Sequence, residues 1–171
     1  PSDEEVEAAL VAVPPGSEGV VVMPYHAGSR APLDLVMGSG VIAGISMATT
    51  AVEIVAATLE AVCFQLADGF EALERCLEGQ SGGAGSVEVV ASGGAVVASP
   101  WWQQALANVL NRAVRVVDEP EASARGAALL ALGLDTEPQT GHVVEPQPEA
   151  VKAERGARRA YRELAGRLGY V

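Results

Sequence analysis

Residues 87–102 read VEVVASGGAVVASPWW, and the reading of this stretch decides the fold. Val87 to Ala91 has the composition of a strand. Ser92-Gly93-Gly94-Ala95 follows as a turn, and Ser99-Pro100 opens a helix, because serine is a good N-cap and proline suits the first helical position. Two adjacent glycines remove two β-carbons where the chain leaves the strand. A flat ligand or a phosphate can then approach the backbone, with main-chain N–H groups turned toward it. Local sequence alone leaves this reading level with that of a plain tight turn between strand and helix.

The context is a chain of 171 residues, 49% hydrophobic with mean hydropathy +0.24, long enough for one domain with a real core. Residues 1–171 read as that single domain. No apolar run reaches the roughly 18–20 residues that span a bilayer, and the acidic start Pro1-Ser2-Asp3-Glu4-Glu5 is no signal peptide, so a soluble, cytoplasmic protein is expected. The net charge of −11 opposes binding to nucleic acid or to an anionic membrane. Arg155, Arg158, Arg159, Arg162 and Arg167 are interleaved with Glu154 and Glu163, as on a solvated helix face. Cys63 and Cys76 fall within one predicted helix, about 20 Å apart at 1.5 Å per residue, and are expected to be reduced core thiols. His26 and His142 do not stand at metal-ligand spacing to them.

In chain order, Val6, Ala9, Leu10 and Val13 predict a short amphipathic helix ended by Pro14-Pro15-Gly16. Val20–Met23 reads as a strand leading into a loop, 24–32, whose polar and aromatic residues make it either a site loop or a connection with Tyr25 packed on the core. Gly40–Ser46 is a second strand with glycines that let a neighbouring backbone come close. Thr50 and Glu53 form a capping box for a long helix, in which Val52, Val55, Leu59, Val62, Leu66, Phe70, Leu73 and Leu77 make an apolar stripe. Its flanks, Ala56, Ala57, Ala61, Cys63 and Phe64, imply burial on more than one side. A helix from Pro100 to about Asn111 turns Trp101 or Trp102, Ala105, Leu106, Val109 and Leu110 inward, and Val114–Val117 is a further strand. Residues 120–130 form a small-residue helix around Gly126. Since glycine inside a helix costs ~1 kcal/mol against alanine, that helix is expected to press tightly on a sheet or a ligand. Residues 135–148 read as a Pro, Thr and Glu linker to a last helix, 149–170, with Val151, Ala157, Tyr161, Leu164 and Leu168 facing the core. Alternating strands and helices imply an α/β layered domain with a partly parallel sheet.

These residues resemble the C-terminal domain of the FGGY family of carbohydrate kinases. Gly40-Val41-Ile42-Ala43-Gly44-Ile45, then Glu53-Ile54 and Ala57-Thr58-Leu59-Glu60, is similar to that family's second signature. Gly28-Ser29-Arg30-Ala31-Pro32 is similar to its Gly-Glu-Arg-x-Pro loop, with Ser29 in place of the acid. Ser92-Gly93-Gly94-Ala95, Ser99-Pro100 and Trp102, with Glu121 to Ala128, resemble its nucleotide turn and closing helix. The resemblance covers about residues 20–132 and implies the actin-like, ribonuclease-H-like ATPase fold, with two lobes and the sugar and ATP between them.

It implies further that this chain is the nucleotide-side lobe, incomplete at its N-terminus, with Gly93, Gly94 and Ala95 against the nucleotide. The family's frequent Asn or Ser contact falls on Ala98 or Ser99. That spacing is nearer to gluconokinase-like members than to xylulose kinases. The implied chemistry is transfer of a phosphoryl group from MgATP to a sugar, sugar-acid or polyol hydroxyl. The catalytic aspartate and the phosphate-binding Gly-Thr segments belong to parts absent from this sequence, and neither Asp34 nor Asp68 has the setting of that base. The implied partner is therefore an N-terminal lobe. The chain alone is expected to be inactive and, with an uncovered apolar sheet edge, to self-associate as a homo-oligomer. The competing reading is a non-catalytic actin-like nucleotide-binding or assembly module. A dinucleotide-binding domain is disfavoured, because Ser92-Gly93-Gly94 is not a G-x-G-x-x-G turn.

Overall fold

The computed structural model describes residues 2–25, 39–77, 87–119, 121–135 and 140–170. Two capping boxes set its first helices. Ser2 caps α1, Asp3–Val11: its hydroxyl accepts from the Glu5 N–H, and the Glu5 carboxylate accepts from the Ser2 N–H at 2.8 Å. Thr50 and Glu53 repeat the exchange in front of α2, Ala51–Leu77, where the sequence predicts it. Between these helices β1, Val21–Met23, pairs antiparallel with β2, Val41–Ala43, aligning Val21 with Ala43. Gly44 allows that hairpin to dock. It sits at φ +78°, and a β-carbon there would lie 2.3 Å from the Gly19 carbonyl oxygen, which is the close approach expected of the glycines in 40–46. Tyr25, after β1, is buried against the core. Residues 26–32 of the predicted site loop lie outside the described residues, as does Asp34.

The second sheet has the order β3-β4-β5, with β3 Val89–Ala91, β4 Val114–Val116 and β5 His142–Val144. β3 and β4 run parallel, Val89 opposite Val114, while β5 is antiparallel to β4, Val144 opposite Val114. The strand β5 corrects the reading of 135–148 as a linker. His142-Val143-Val144 is too short and too exposed to alternate visibly, and its order comes from the β4 edge.

Helix α4, Pro100–Leu110, packs on β4 and β5, while α6, Pro148–Leu168, packs on α4 and β1, as α2 does. The most buried face of α2 is Ala56, Ala57, Glu60, Ala61, Cys63, Phe64 and Ala67, whereas Val55, Leu66 and Leu73 of the predicted stripe are exposed. Small side chains let α4 and β1 come close on that side, so the tightest packing follows them instead of the bulky stripe. Cys76 is likewise exposed, not a core thiol, and both cysteines are free.

Two further expectations give way. Arg158 and Arg162 of α6 do not form a solvated face. Arg158 bonds Asp68 and Glu71 at 2.6 Å each and Arg162 reaches the same two carboxylates, clamping α6 to α2. Helix α5, Ala122–Leu132, buries none of its residues, and a β-carbon on Gly126 would meet nothing within 4 Å. The close contact expected at Gly126 is absent among the described residues, because nothing there lies across that face.

Candidate nucleotide site

Ser92 and Gly93 follow β3 directly, and Gly93 takes φ +106°, a conformation that side-chain-bearing residues rarely adopt. The chain then winds at once into α3, Gly94–Ala98, a helical turn that the sequence concealed among alanines and valines. A β-carbon on Gly93 or Gly94 would meet nothing within 4 Å, so both glycines look into open space instead of a neighbouring backbone.

That space is a cavity of about 570 Å³. Its floor is β3, one wall is Cys63, Leu66 and Phe70 of α2, and the other is Trp102, Leu106 and Leu110 of α4, with Ser92 to Val96 at the rim. The walls are apolar. Burial pushes the Cys63 thiol well above its usual range, against a lowering from Trp102 and with smaller help from the charges of Glu154 and Glu60, so it acts as an apolar wall.

Of the five residues singled out from sequence, the structure brings Gly93, Gly94 and Ala95 to this cavity, while Ala98 and Ser99 lie outside its lining. Ser99 caps α4: its hydroxyl accepts from the Trp102 N–H at 3.2 Å and donates to the Glu7 carboxylate. The other Glu7 oxygen accepts from the Trp101 N–H at 3.2 Å, so α1 is tied to the start of α4.

Gln103 went unnoticed in the sequence. Nine-tenths or more of it is buried, and its amide nitrogen donates to the carbonyls of Val96 and Val97 at 2.9 and 3.1 Å, holding the end of α3. Its oxygen meets His142 Nε2 at 2.9 Å. The signal for it was a glutamine on the inward phase of a helix, a position that demands partners. Trp102 similarly donates its indole N–H to the Leu59 carbonyl at 3.1 Å, fixing the wall between α2 and α4.

Among the described residues no carboxylate lines the cavity. Asp68 is engaged by two arginines. Among the described residues no three His, Cys, Asp or Glu side chains gather as they would to hold a metal ion. No helix of the described residues is long and apolar enough to cross a membrane.

The parallel strand pair that opens through a glycine turn into a helix takes the actin-like ATPase fold, in its C-terminal lobe, as its superposition on solved structures shows. The sequence profile of the FGGY family of carbohydrate kinases, C-terminal domain, matches residues 2–133, and the chain belongs to that family. A glycerol kinase from Nitrosomonas eutropha is 38% identical over 130 residues, 75% of this chain and 25% of that protein. A gluconokinase from Bacillus subtilis is 32% identical over 120 residues, 70% of this chain and 22% of that protein. The crystal structure of a xylulose kinase from Rhodospirillum rubrum superposes with a TM-score of 0.79 at 27% identity, covering 97% of this chain and 34% of that one. The chain thus spans about a quarter of the length of the curated relatives it matches.

Proposed function

We propose that this chain is the nucleotide-side lobe of an ATP-dependent carbohydrate kinase, which transfers the γ-phosphoryl group of ATP to a hydroxyl of a sugar, sugar acid or polyol. The observation that carries the reading is the Gly93-Gly94 turn. It stands at the rim of an apolar cavity with open space where two β-carbons would be, so a flat heteroaromatic base or its ribose can lie against main chain. Gly93, Gly94 and Ala95 make that approach, and Gln103 keeps α3 in register behind them. Ala98 or Ser99 takes the polar contact of the family pattern. Alanine offers no side-chain donor or acceptor and the Ser99 hydroxyl is already engaged in capping, so a main-chain group at these positions makes it.

The general base, the phosphate clamps and the groups that accompany Mg²⁺ belong to an N-terminal lobe, and no step is assigned to this chain's carboxylates. Positioning is its contribution. Among the described residues β3 pairs on one edge only, with β4, and Val90 beside the cavity is half exposed. A strand from the rest of the kinase fits that free edge, leaving the rim at 92–96 for the nucleotide. A cytoplasmic location suits such an enzyme.

The test is Gly94→Val in the full-length kinase. A side chain at the rim is expected to raise KM for ATP about tenfold or more while KM for the sugar stays within about twofold, in line with lost ground-state binding at one subsite. An unchanged KM for ATP in a folded variant would return the turn to a purely structural role. The isolated chain is expected to give no sugar-dependent ADP release, and turnover above background would overturn the assignment of the base to the other lobe.

A further inference from the structure

The segment that carries the glycine turn, 92–97, has little packing of its own to hold it. Helix α3 buries none of its residues, and nothing lies within 4 Å of a β-carbon on Gly93 or Gly94. Hydrogen bonds at its two ends set its place instead. At the front, the Ala91 carbonyl accepts from the Val117 N–H at 2.9 Å, which ties the last residue of β3 to the sheet. At the back, the Gln103 amide nitrogen donates to the Val96 and Val97 carbonyls, which a helix this short leaves in need of donors.

Both ends lead to His142. Across the sheet Ala91 stands opposite Val116 and Val116 opposite His142, so β5 places His142 in the row that ends at the turn. Gly141 makes this docking possible, since a β-carbon there would lie 2.1 Å from the Val116 carbonyl oxygen. From that row His142 Nε2 meets Gln103 Oε1 at 2.9 Å. Only one orientation of the amide serves: its nitrogen faces two carbonyls, which accept and never donate, so its oxygen faces the imidazole. An amide oxygen accepts as well, and His142 therefore carries its proton on Nε2 and donates. Gln103 is 4% exposed, so losing that donor leaves a buried oxygen without the partner that fixes the amide.

We propose that His142 is a positioning residue of the nucleotide site: it orients the Gln103 amide, which holds the end of α3 and with it the rim at 92–96. The proposal rests on the reading of the glycine turn as the nucleotide contact. It extends that site to β5, which lies beyond the residues matched by the family profile and in the stretch that the sequence presents as a linker.

Two measurements test it, and one of them needs no nucleotide. In the ¹⁵N-labelled chain a long-range ¹H–¹⁵N spectrum at pH about 9 reports the imidazole tautomer, and the expected one has the proton on Nε2. In His142→Leu the backbone amide resonances of 93–97 and the Gln103 side-chain amide are expected to shift. In His142→Gln, whose amide donates from nearly the same place, they are expected to return toward the parent. In the full-length kinase His142→Leu is expected to raise KM for ATP about fivefold, with kcat and KM for the sugar within about twofold, and His142→Gln to recover most of that loss. A proton on Nδ1 in the parent, shifts confined to 141–145, or an unchanged KM for ATP in His142→Leu would each overturn the proposal. Gly94→Val separates the two ways of failing. If it raises KM for ATP and His142→Leu does not, the nucleotide reading stands and His142 has no part in it; if neither does, the reading of the turn has failed as well. The tautomer is read on the unmodified chain, so it decides even where a variant does not fold.

Discussion

Helices α2 and α5 are both rich in alanine and each carries one internal glycine, Gly69 or Gly126, yet one is the spine of the core and the other buries none of its residues. Ala56, Ala57, Ala61 and Ala67 of α2 are at most 2% exposed, with α4 and β1 packed against the helix, whereas Leu130 and Leu132 of α5 are 85% and 69% exposed. Small side chains permit close approach without causing it. What decides burial is whether another element packs closely across the face, and none of the described residues buries a side chain of α5 fully.

The sharpest way to break this comparison is to enlarge one small residue on α2. Ala61→Leu forces three extra carbons into a packed face and is expected to cost about 3 kcal/mol, read as a fall in the urea midpoint at constant m-value. A loss below about 1 kcal/mol would mean that α2 is as loosely seated as α5.

A second effect belongs to the same buried face of α2, through Glu60 and its neighbour Glu154. The Glu154 carboxyl is raised to about 8 by burial and by the charge of Glu60, so between about 4.5 and 8 the folded chain holds a proton that the unfolded chain has released. Its contribution to stability is complete below pH 4.5 and is lost as pH rises through 8. Glu60 is shifted upward too, by burial, against the lowering bonds from Gly16 and Ser17, and adds slope of the same sign. Glu154→Gln is therefore expected to match the parent at low pH and to exceed it by about 2 kcal/mol at pH about 9 in chemical denaturation. A variant less stable than its parent at pH about 9 would show that the carboxylate is compensated in the folded chain.

On α5 the corresponding changes are gentler. Leu130→Gln with Leu132→Gln removes two apolar groups from the open side of the helix, and is expected to weaken self-association of the chain by about tenfold while leaving its unfolding midpoint in place. Light scattering over a concentration series decides this, and a parent that stays monomeric at high concentration would remove the premise. Smallest of all, Gly126→Ala is expected to stabilise the isolated chain by about 0.5–1 kcal/mol through helix propensity, since nothing stands within 4 Å of the added methyl. A loss of stability would reveal a neighbour on α5 after all.

Much of the fold was legible in residue order. Capping pairs such as Thr50 with Glu53, and Ser99 before Pro100, are local chemistry, and they start α2 and α4 where expected. The close approach at Gly44 was readable because glycine in a strand has few other uses. Strand β5 was not legible, since three half-exposed residues among prolines acquire order only from the β4 edge. Nor was the clamp of Arg158 and Arg162, because their partners Asp68 and Glu71 stand about ninety residues away in α2.

The candidate site divides in the same way. The sequence by itself determined the strand, the two glycines and the helix start, and with them the family, because backbone freedom at Gly93-Gly94 is a property of those residues wherever they stand. Only the tertiary structure decided that the turn faces a cavity walled by Leu66, Phe70 and Trp102, that Ser99 is engaged with Glu7, and that Gln103 holds α3 from behind. Those are contacts between segments far apart in the chain. A side chain's type fixes which bonds it can make, and packing alone fixes which partner arrives to make them.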